Sequence, residues 1–254
     1  GCVGMCHRTP LLEVVSPETG SKLYDKVQPD HVSDIMLQHF KPKSVWQRLR
    51  TTMERTAERI YADSDLSISR LPLHTRDPHV DAFLGRQKHI ATEFCGEADP
   101  LDLQDYTSRG GFNALSRCLA KQSADEIIQI VLNSGLRGRG GAGFPTGKKW
   151  QIARSFPDDE RYLVCNGDEG DPGAFMDRMI LESYPYRVLE GMLIAAYAVN
   201  ATKGYLYIRA EYPLAVQRIQ EAIDTCKAHN LLGENILGSD FSLDLEIMQG
   251  AGAF

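Results

Sequence analysis

The sequence has no apolar run able to cross a membrane. Its longest, residues 192–199, is eight residues, against the roughly twenty that a helix needs. It has no excess of positive charge either. The 28 Lys and Arg against 34 Asp and Glu leave −6 at pH 7 with no basic stripe, which argues against nucleic acid as a main partner. There is no signal-peptide pattern, and residue 1 is Gly, not Met. Repeats and low-complexity tracts are missing too. The six cysteines, at 2, 6, 95, 118, 165 and 226, are too scattered for a disulfide framework in a chain of this length. Cys95, Cys118 and Cys226 fall in helical patterns and read as reduced core residues, as does Cys165 before Asn166. A reducing cytoplasm is the expected compartment. What is present, 254 residues with 43% hydrophobic content, is enough for a full core and more than one domain. Both ends look cut: Cys2 opens a motif at once, and Phe254 stops inside another.

One stretch is far from average. Six glycines, at 135, 138, 140, 141, 143 and 147, are interleaved with Arg137, Arg139, Lys148 and Lys149, and no acid lies among them. Bare backbone lets amide groups crowd an anion or a flat ring where a Cβ would intrude, and the basic side chains favour phosphate. The spacing Gly138-x-Gly140-x-x-Gly143 satisfies the dinucleotide fingerprint, which belongs between a strand and a helix. Here the preceding segment reads as a helix. Ser123 and Glu126 make a capping box, Ile127, Ile130 and Val131 an apolar stripe, and Gly135 a C-terminal cap. An ordinary Rossmann site therefore fails on context, and a mere linker needs neither four cations nor Phe144-Pro145. The loop reads as a nucleotide-binding loop.

Downstream, Asn166, Asp168 and Glu169 follow 162–164, a short apolar run that reads as a buried strand. There they read either as ligands at a strand end or as good turn chemistry. A calcium loop fits poorly, because its spacing and terminal Glu are missing.

The order GLRGRGGAGFPTGKKW, CNGDEGDPGAFMDR, EGMLIAAYAV, GYLYIRAEYP, GAGAF resembles the family of FMN-containing, NADH-oxidising subunits of complex I. It is similar above all to the diaphorase subunits of soluble hydrogenases and formate dehydrogenases. The resemblance runs from about residue 82 to the end. It implies FMN and NAD(H) as cofactors, with hydride passing from NADH to the flavin and electrons leaving singly to iron–sulfur clusters. Gly138, Arg139, Gly140, Gly141 and Gly143 are then expected against flavin and nicotinamide. Phe144 either stacks on the nucleotide or plugs the loop onto the core, and Lys149 contacts the flavin unless it is simply an exposed lysine. Asn166, Asp168 and Glu169 are placed on polar atoms of the flavin. Asp171 stands where relatives carry a Glu that faces the dinucleotide, and a carboxylate there disfavours the 2′-phosphate of NADPH. Glu211 and Tyr212 belong to the pattern without an assigned contact.

Cys2 and Cys6 lie four apart with Gly4 between them. By themselves they are open to three readings: metal ligands, a redox dithiol, or unrelated thiols. The resemblance makes them the second ligand pair of a thioredoxin-like [2Fe–2S] domain, with the first pair upstream of Gly1 and a [4Fe–4S] domain beyond Phe254. His7 reads as a solvated neighbour. The fold class expected is α/β: the C-terminal half of that [2Fe–2S] domain over 1–40, a linker over 41–80 with a short helix near 45–60, and an incomplete FMN/NADH-binding domain over 81–254. The partners implied are other subunits of an iron–sulfur redox complex of hydrogenase or formate dehydrogenase type, without nucleic acid or a membrane span. A complex I subunit, or a flavin-free electron-relay or assembly module, remains the alternative.

Within that frame, strands are expected at 11–15, 22–27, 162–164, 205–208 and around 241–247. Helices are expected at 29–40, with Val32, Ile35, Met36 and Phe40 on one face, from Asp99-Pro100 to the break at Gly110-Gly111, around 189–197, and around 216–226.

Overall fold

The computed structural model describes residues 10–16, 20–40, 87–94, 97–157, 160–171 and 173–251. The chain divides between His89 and Ile90 into two compact units. Cys2, Cys6, Cys95, Phe254 and the helix expected near 45–60 lie outside the described residues.

In the first unit, β1 (Leu12–Ser16) pairs antiparallel with β2 (Gly20–Tyr24), Leu12 opposite Tyr24, and α1 (His31–His39) follows. Val14, Tyr24, Val27 and Ile35 form its small core. The helix buries less than its pattern promises. Val32, Met36 and Phe40 are each 43% exposed, because a two-stranded hairpin covers only a narrow stripe of a helix. The buried imidazole of His39 instead meets the Tyr24 hydroxyl at 2.6 Å.

The second unit opens with three helices, α2 (Leu103–Ser108), α3 (Asn113–Lys121) and α4 (Ala124–Asn133). The first starts later than Asp99-Pro100 suggests. Asp102 is its cap, accepting the amides of Gln104 and Asp105, while Asp99 turns the chain just before by accepting Leu101 N–H. Gly110, at φ +95°, ends it. The capping box of Ser123 and Glu126 is formed in both directions, and Gly135 leaves α4 in the left-handed region. The buried face of α4, however, is Ala124, Ile127 and Ile128, with Ile130 52% exposed.

After the glycine loop come α5 (Thr146–Ser155), β3 (Tyr162–Gly167), α6 (Met176–Ser183), α7 (Pro185–Val199), β4 (Lys203–Arg209), α8 (Pro213–Ala228) and β5 (Asp244–Gly250). Proline opens both α7 and α8, where a missing N–H removes nothing from the ladder. Asn200, left-handed, ends α7. The three strands are parallel in the order β3-β4-β5, with Tyr162 beside Lys203 and Lys203 beside Asp244.

One sheet face, carrying Leu206, Ile208 and Leu245, packs on Leu193 and Ala196 of α7 and Ile219 and Ala222 of α8. Each large side chain buried there stabilises by about 2 kcal/mol. The apolar run at 162–164 is not a buried strand. β3 lies at the sheet edge, with Tyr162 49% and Val164 60% exposed. The thiols of Cys118 and Cys226 are free and buried, the latter pushed up to about 12 by burial.

Candidate functional site

The glycine loop is closed at its base. Gly138 N–H donates to Phe144 C=O at 2.9 Å, and Thr146 N–H donates to Leu136 C=O at 2.9 Å. Arg137 latches it from inside, its guanidinium donating to the carbonyl of Gly143 at 2.8 Å. Gly147, in the first turn of α5, sits so close to α4 that a Cβ would come within 2.6 Å of the Leu132 nitrogen. The tip behaves oppositely: a Cβ added at Gly140, Gly141 or Gly143 would meet nothing within 4 Å. Gly141 and Gly143 have positive φ, but Gly140 does not, so neither packing nor backbone conformation requires glycine at 140.

Arg139 and Lys149 are exposed and their side chains make no hydrogen bond or ion pair among the described residues, while Lys148 donates to Gln151. No side chain caps the first turn of α5, and no acid lies in it. A positive helix end flanked by free cations is poised for an anion. Phe144 is 49% exposed and belongs to none of the buried clusters, so it does not plug the loop onto the core.

Asn166, the last residue but one of β3, and the residues that follow the strand stand at the carboxyl end of a parallel sheet, where α/β proteins bind ligands. Asn166 accepts Asp168 N–H at 3.1 Å through its side chain, and Asp168 is buried at 7% exposure. Asp171 is exposed and accepts Ala174 N–H through its carbonyl. Glu169 is turned elsewhere. Its two carboxylate oxygens accept the amides of Asp177, at 2.8 Å, and Arg178, at 3.1 Å, capping α6.

Sequence reasoning missed Arg209 at the end of β4. It donates to Glu169 C=O at 3.3 Å and to the Glu211 carboxylate at 3.0 Å. Both its guanidinium and that of Arg178 lie over the ring of Tyr212, at 5.7 Å and 5.4 Å. Its signal was a cation at a strand's end, two residues before Glu211. Burial, and then the neighbouring Glu169, raise the Asp177 carboxyl above the ordinary carboxylate range. Burial, with Asp177 nearby, pushes the Cys165 thiol up to about 11, so Cys165 is no nucleophile at neutral pH.

The two loops belong to different segments, and no hydrogen bond between them occurs among the described residues. Arg161, entering β3, donates to the carbonyls of Ala153, Arg154 and Phe156 at the end of α5. The far end of α5, with the glycine loop, is thereby set away from the point where β3 begins. Among the described residues no cluster of His, Cys, Asp and Glu suits a metal ion, and no helix is long and apolar enough to cross a membrane.

Residues 131–254 match the family described as the Nuo51 FMN-binding domain. The chain is 53% identical over 169 residues to the NADP-reducing hydrogenase subunit HndC of Solidesulfovibrio fructosivorans, covering 66% of this chain and 34% of that protein. It is 45% identical over 152 residues to an F-type subunit of the NADH-quinone oxidoreductase of Rhizobium meliloti (strain 1021), covering 60% and 36%. Among solved structures, an NAD+-reducing [NiFe]-hydrogenase in the H2-reduced state matches with a TM-score of 0.51 and 31% identity, over 84% of this chain and 32% of that one. The chain thus spans about a third of the length of the relatives it matches.

Proposed function

We propose that this chain, whose residues 131–254 match the Nuo51 FMN-binding domain family, provides the flavin ledge of an NADH:acceptor oxidoreductase subunit in a multi-subunit redox complex. The observation that carries the reading is the open tip of the glycine loop, beside an uncapped helix start and two cations without partners among the described residues. Such a surface fits a flat, anionic ring system, and a Cβ at Gly140 would occupy the space that ring needs. FMN, when bound, accepts a hydride from NADH and releases electrons one at a time.

The residues have separate tasks. Gly138, Gly140, Gly141 and Gly143 keep the main chain approachable, and Phe144 offers a ring face to the nucleotide. Arg139 and Lys149 attract its anionic groups, with Lys149 favouring negative charge on the ring. Asn166 and Asp168 present polar atoms from the sheet end. Asp171 faces the dinucleotide and repels a 2′-phosphate, which favours NAD(H) over NADP(H).

The same reading takes 1–40 as the C-terminal half of a thioredoxin-like [2Fe–2S] domain, and the hairpin followed by a helix among its described residues supports an α/β unit there. Cys2 and Cys6 are proposed as ligands of its cluster, and [4Fe–4S] chemistry belongs to the same complex. A complex of hydrogenase type is favoured by the likeness to HndC, and the cytoplasm is the compartment proposed for it on the chain's scattered, reduced cysteines. The likeness to the Rhizobium NADH-quinone oxidoreductase keeps a complex I subunit as the second reading.

The test is FMN binding by the chain and by its Arg139→Ala/Lys149→Ala double variant. The double variant should bind at least tenfold more weakly with an unaltered melting temperature, since neither side chain has a partner to lose among the described residues. Equal binding by both proteins would remove the basic ledge from the account.

A further inference from the structure

Glu169, Arg178, Tyr212 and Arg209 form a closed ring of contacts around the loop that carries Asn166 and Asp168. The Glu169 carboxylate takes the Arg178 amide at 3.1 Å. The Arg178 guanidinium lies over the Tyr212 ring, and so does that of Arg209. Arg209 returns to the start by donating to Glu169 C=O. The ring joins the exit of β3, the start of α6 and the β4–α8 turn. Tyr212 is buried at 8% exposure. Glu169 holds its place in the ring at a φ of +50°, a strained setting for a residue with a Cβ. A hydrogen bond from Ala210 N–H to Gly250 C=O, at 2.9 Å, ties the same turn to the end of β5.

Both oxygens of the Glu169 carboxylate are used by helix amides, so that group is not turned toward a ligand above the sheet. We propose that Glu169 is a positioning residue. Through this four-residue clasp it sets the loop from which Asn166 and Asp168 reach the flavin, and it does not touch the cofactor. The proposal rests on the flavin reading above and reassigns one residue within it.

The experiment uses the full chain and its Glu169→Ala, Glu169→Gln, Tyr212→Leu and Tyr212→Phe variants, each first without cofactor and then titrated with FMN. In the cofactor-free proteins, hydrogen exchange at the amides of Asp177 and Arg178 should quicken in Glu169→Ala and less so in Glu169→Gln, which keeps one acceptor. FMN affinity should fall about tenfold in Glu169→Ala and in Tyr212→Leu. It should hold in Tyr212→Phe, whose ring still receives both guanidinium groups. The midpoint potential of bound FMN should be the same in Glu169→Gln as in the parent, because the charge removed does not face the ring.

Unchanged exchange at the two amides, unchanged FMN affinity in Glu169→Ala, or a raised potential in Glu169→Gln would each overturn the proposal. A parent chain that binds no FMN would overturn the flavin reading instead, and amide exchange would still decide whether the clasp exists.

Discussion

The Glu190 carboxylate on α7 accepts the backbone N–H of Phe112 at 2.9 Å across 78 positions of sequence. It closes the start of α3, whose own cap residue supplies no side-chain bond. The same group accepts Leu115 N–H at 3.2 Å and the Tyr106 hydroxyl at 2.7 Å, and burial with this carboxylate alongside pushes the phenol well above its usual range. Glu190→Ala strands two buried amides and a half-buried hydroxyl and should destabilise the second unit by about 3 kcal/mol. Urea unfolding followed by circular dichroism checks this, and a loss below about 1 kcal/mol would mean that water replaces the carboxylate.

Arg137 should govern the order of the glycine loop and little else. Its bond to Gly143 C=O lies on an exposed segment, so Arg137→Ala should change global stability by less than about 1 kcal/mol. Limited proteolysis within residues 138–143 should nonetheless become faster, and FMN should bind more weakly. Equal cleavage rates would show that the two backbone bonds at the loop base are sufficient.

Asp177 supplies a pH dependence with a definite sign. Its carboxyl is raised in the folded chain, by burial first and then by Glu169. The neutral form is therefore the one that the fold favours. The associated stability is fully present below the ordinary aspartate value of about 3.9 and is lost as pH rises through the raised folded value. Asp177→Asn, which keeps the amide bonded to Glu169, should raise the melting temperature at pH 7 and leave it nearly unaltered at pH 3. A variant less stable at both values would contradict the direction.

For Asp171, the prediction concerns selectivity between dinucleotides. Asp171→Gln should lower the ratio of NADH to NADPH efficiency by several-fold, through better use of NADPH. Steady-state kinetics of the flavin-loaded protein measures it, and an unchanged ratio would remove Asp171 from the dinucleotide site.

Features written in neighbouring residues were legible without coordinates. Ser123 and Glu126 sit three apart and can only reach each other if a helix starts there, and Gly135 ends that helix for a reason local to its backbone. Proline at the start and Asn200 at the end bracket α7 in the same way. The glycine loop stood out in the sequence because bare positions and cations alternate there with no acid among them. What could not be read depends on elements distant in sequence. Ile130 fits the stripe of α4 yet finds no neighbour to cover it, and Val164 is apolar on an edge strand. The two amides that the Glu169 carboxylate accepts come from the start of α6, eight and nine positions further along the chain. Arg209 gains its role only when β4 pairs beside β3 and brings it to the Glu169 carbonyl.

At Gly140 the loop leaves room that no atom of the described residues fills. Gly140→Val and the parent chain should be compared in one FMN titration, with thermal melting in parallel. The account predicts equal melting temperatures and at least a tenfold loss of FMN affinity in the variant, because the added side chain enters the space reserved for the ring. Equal FMN affinity in the two proteins would contradict it.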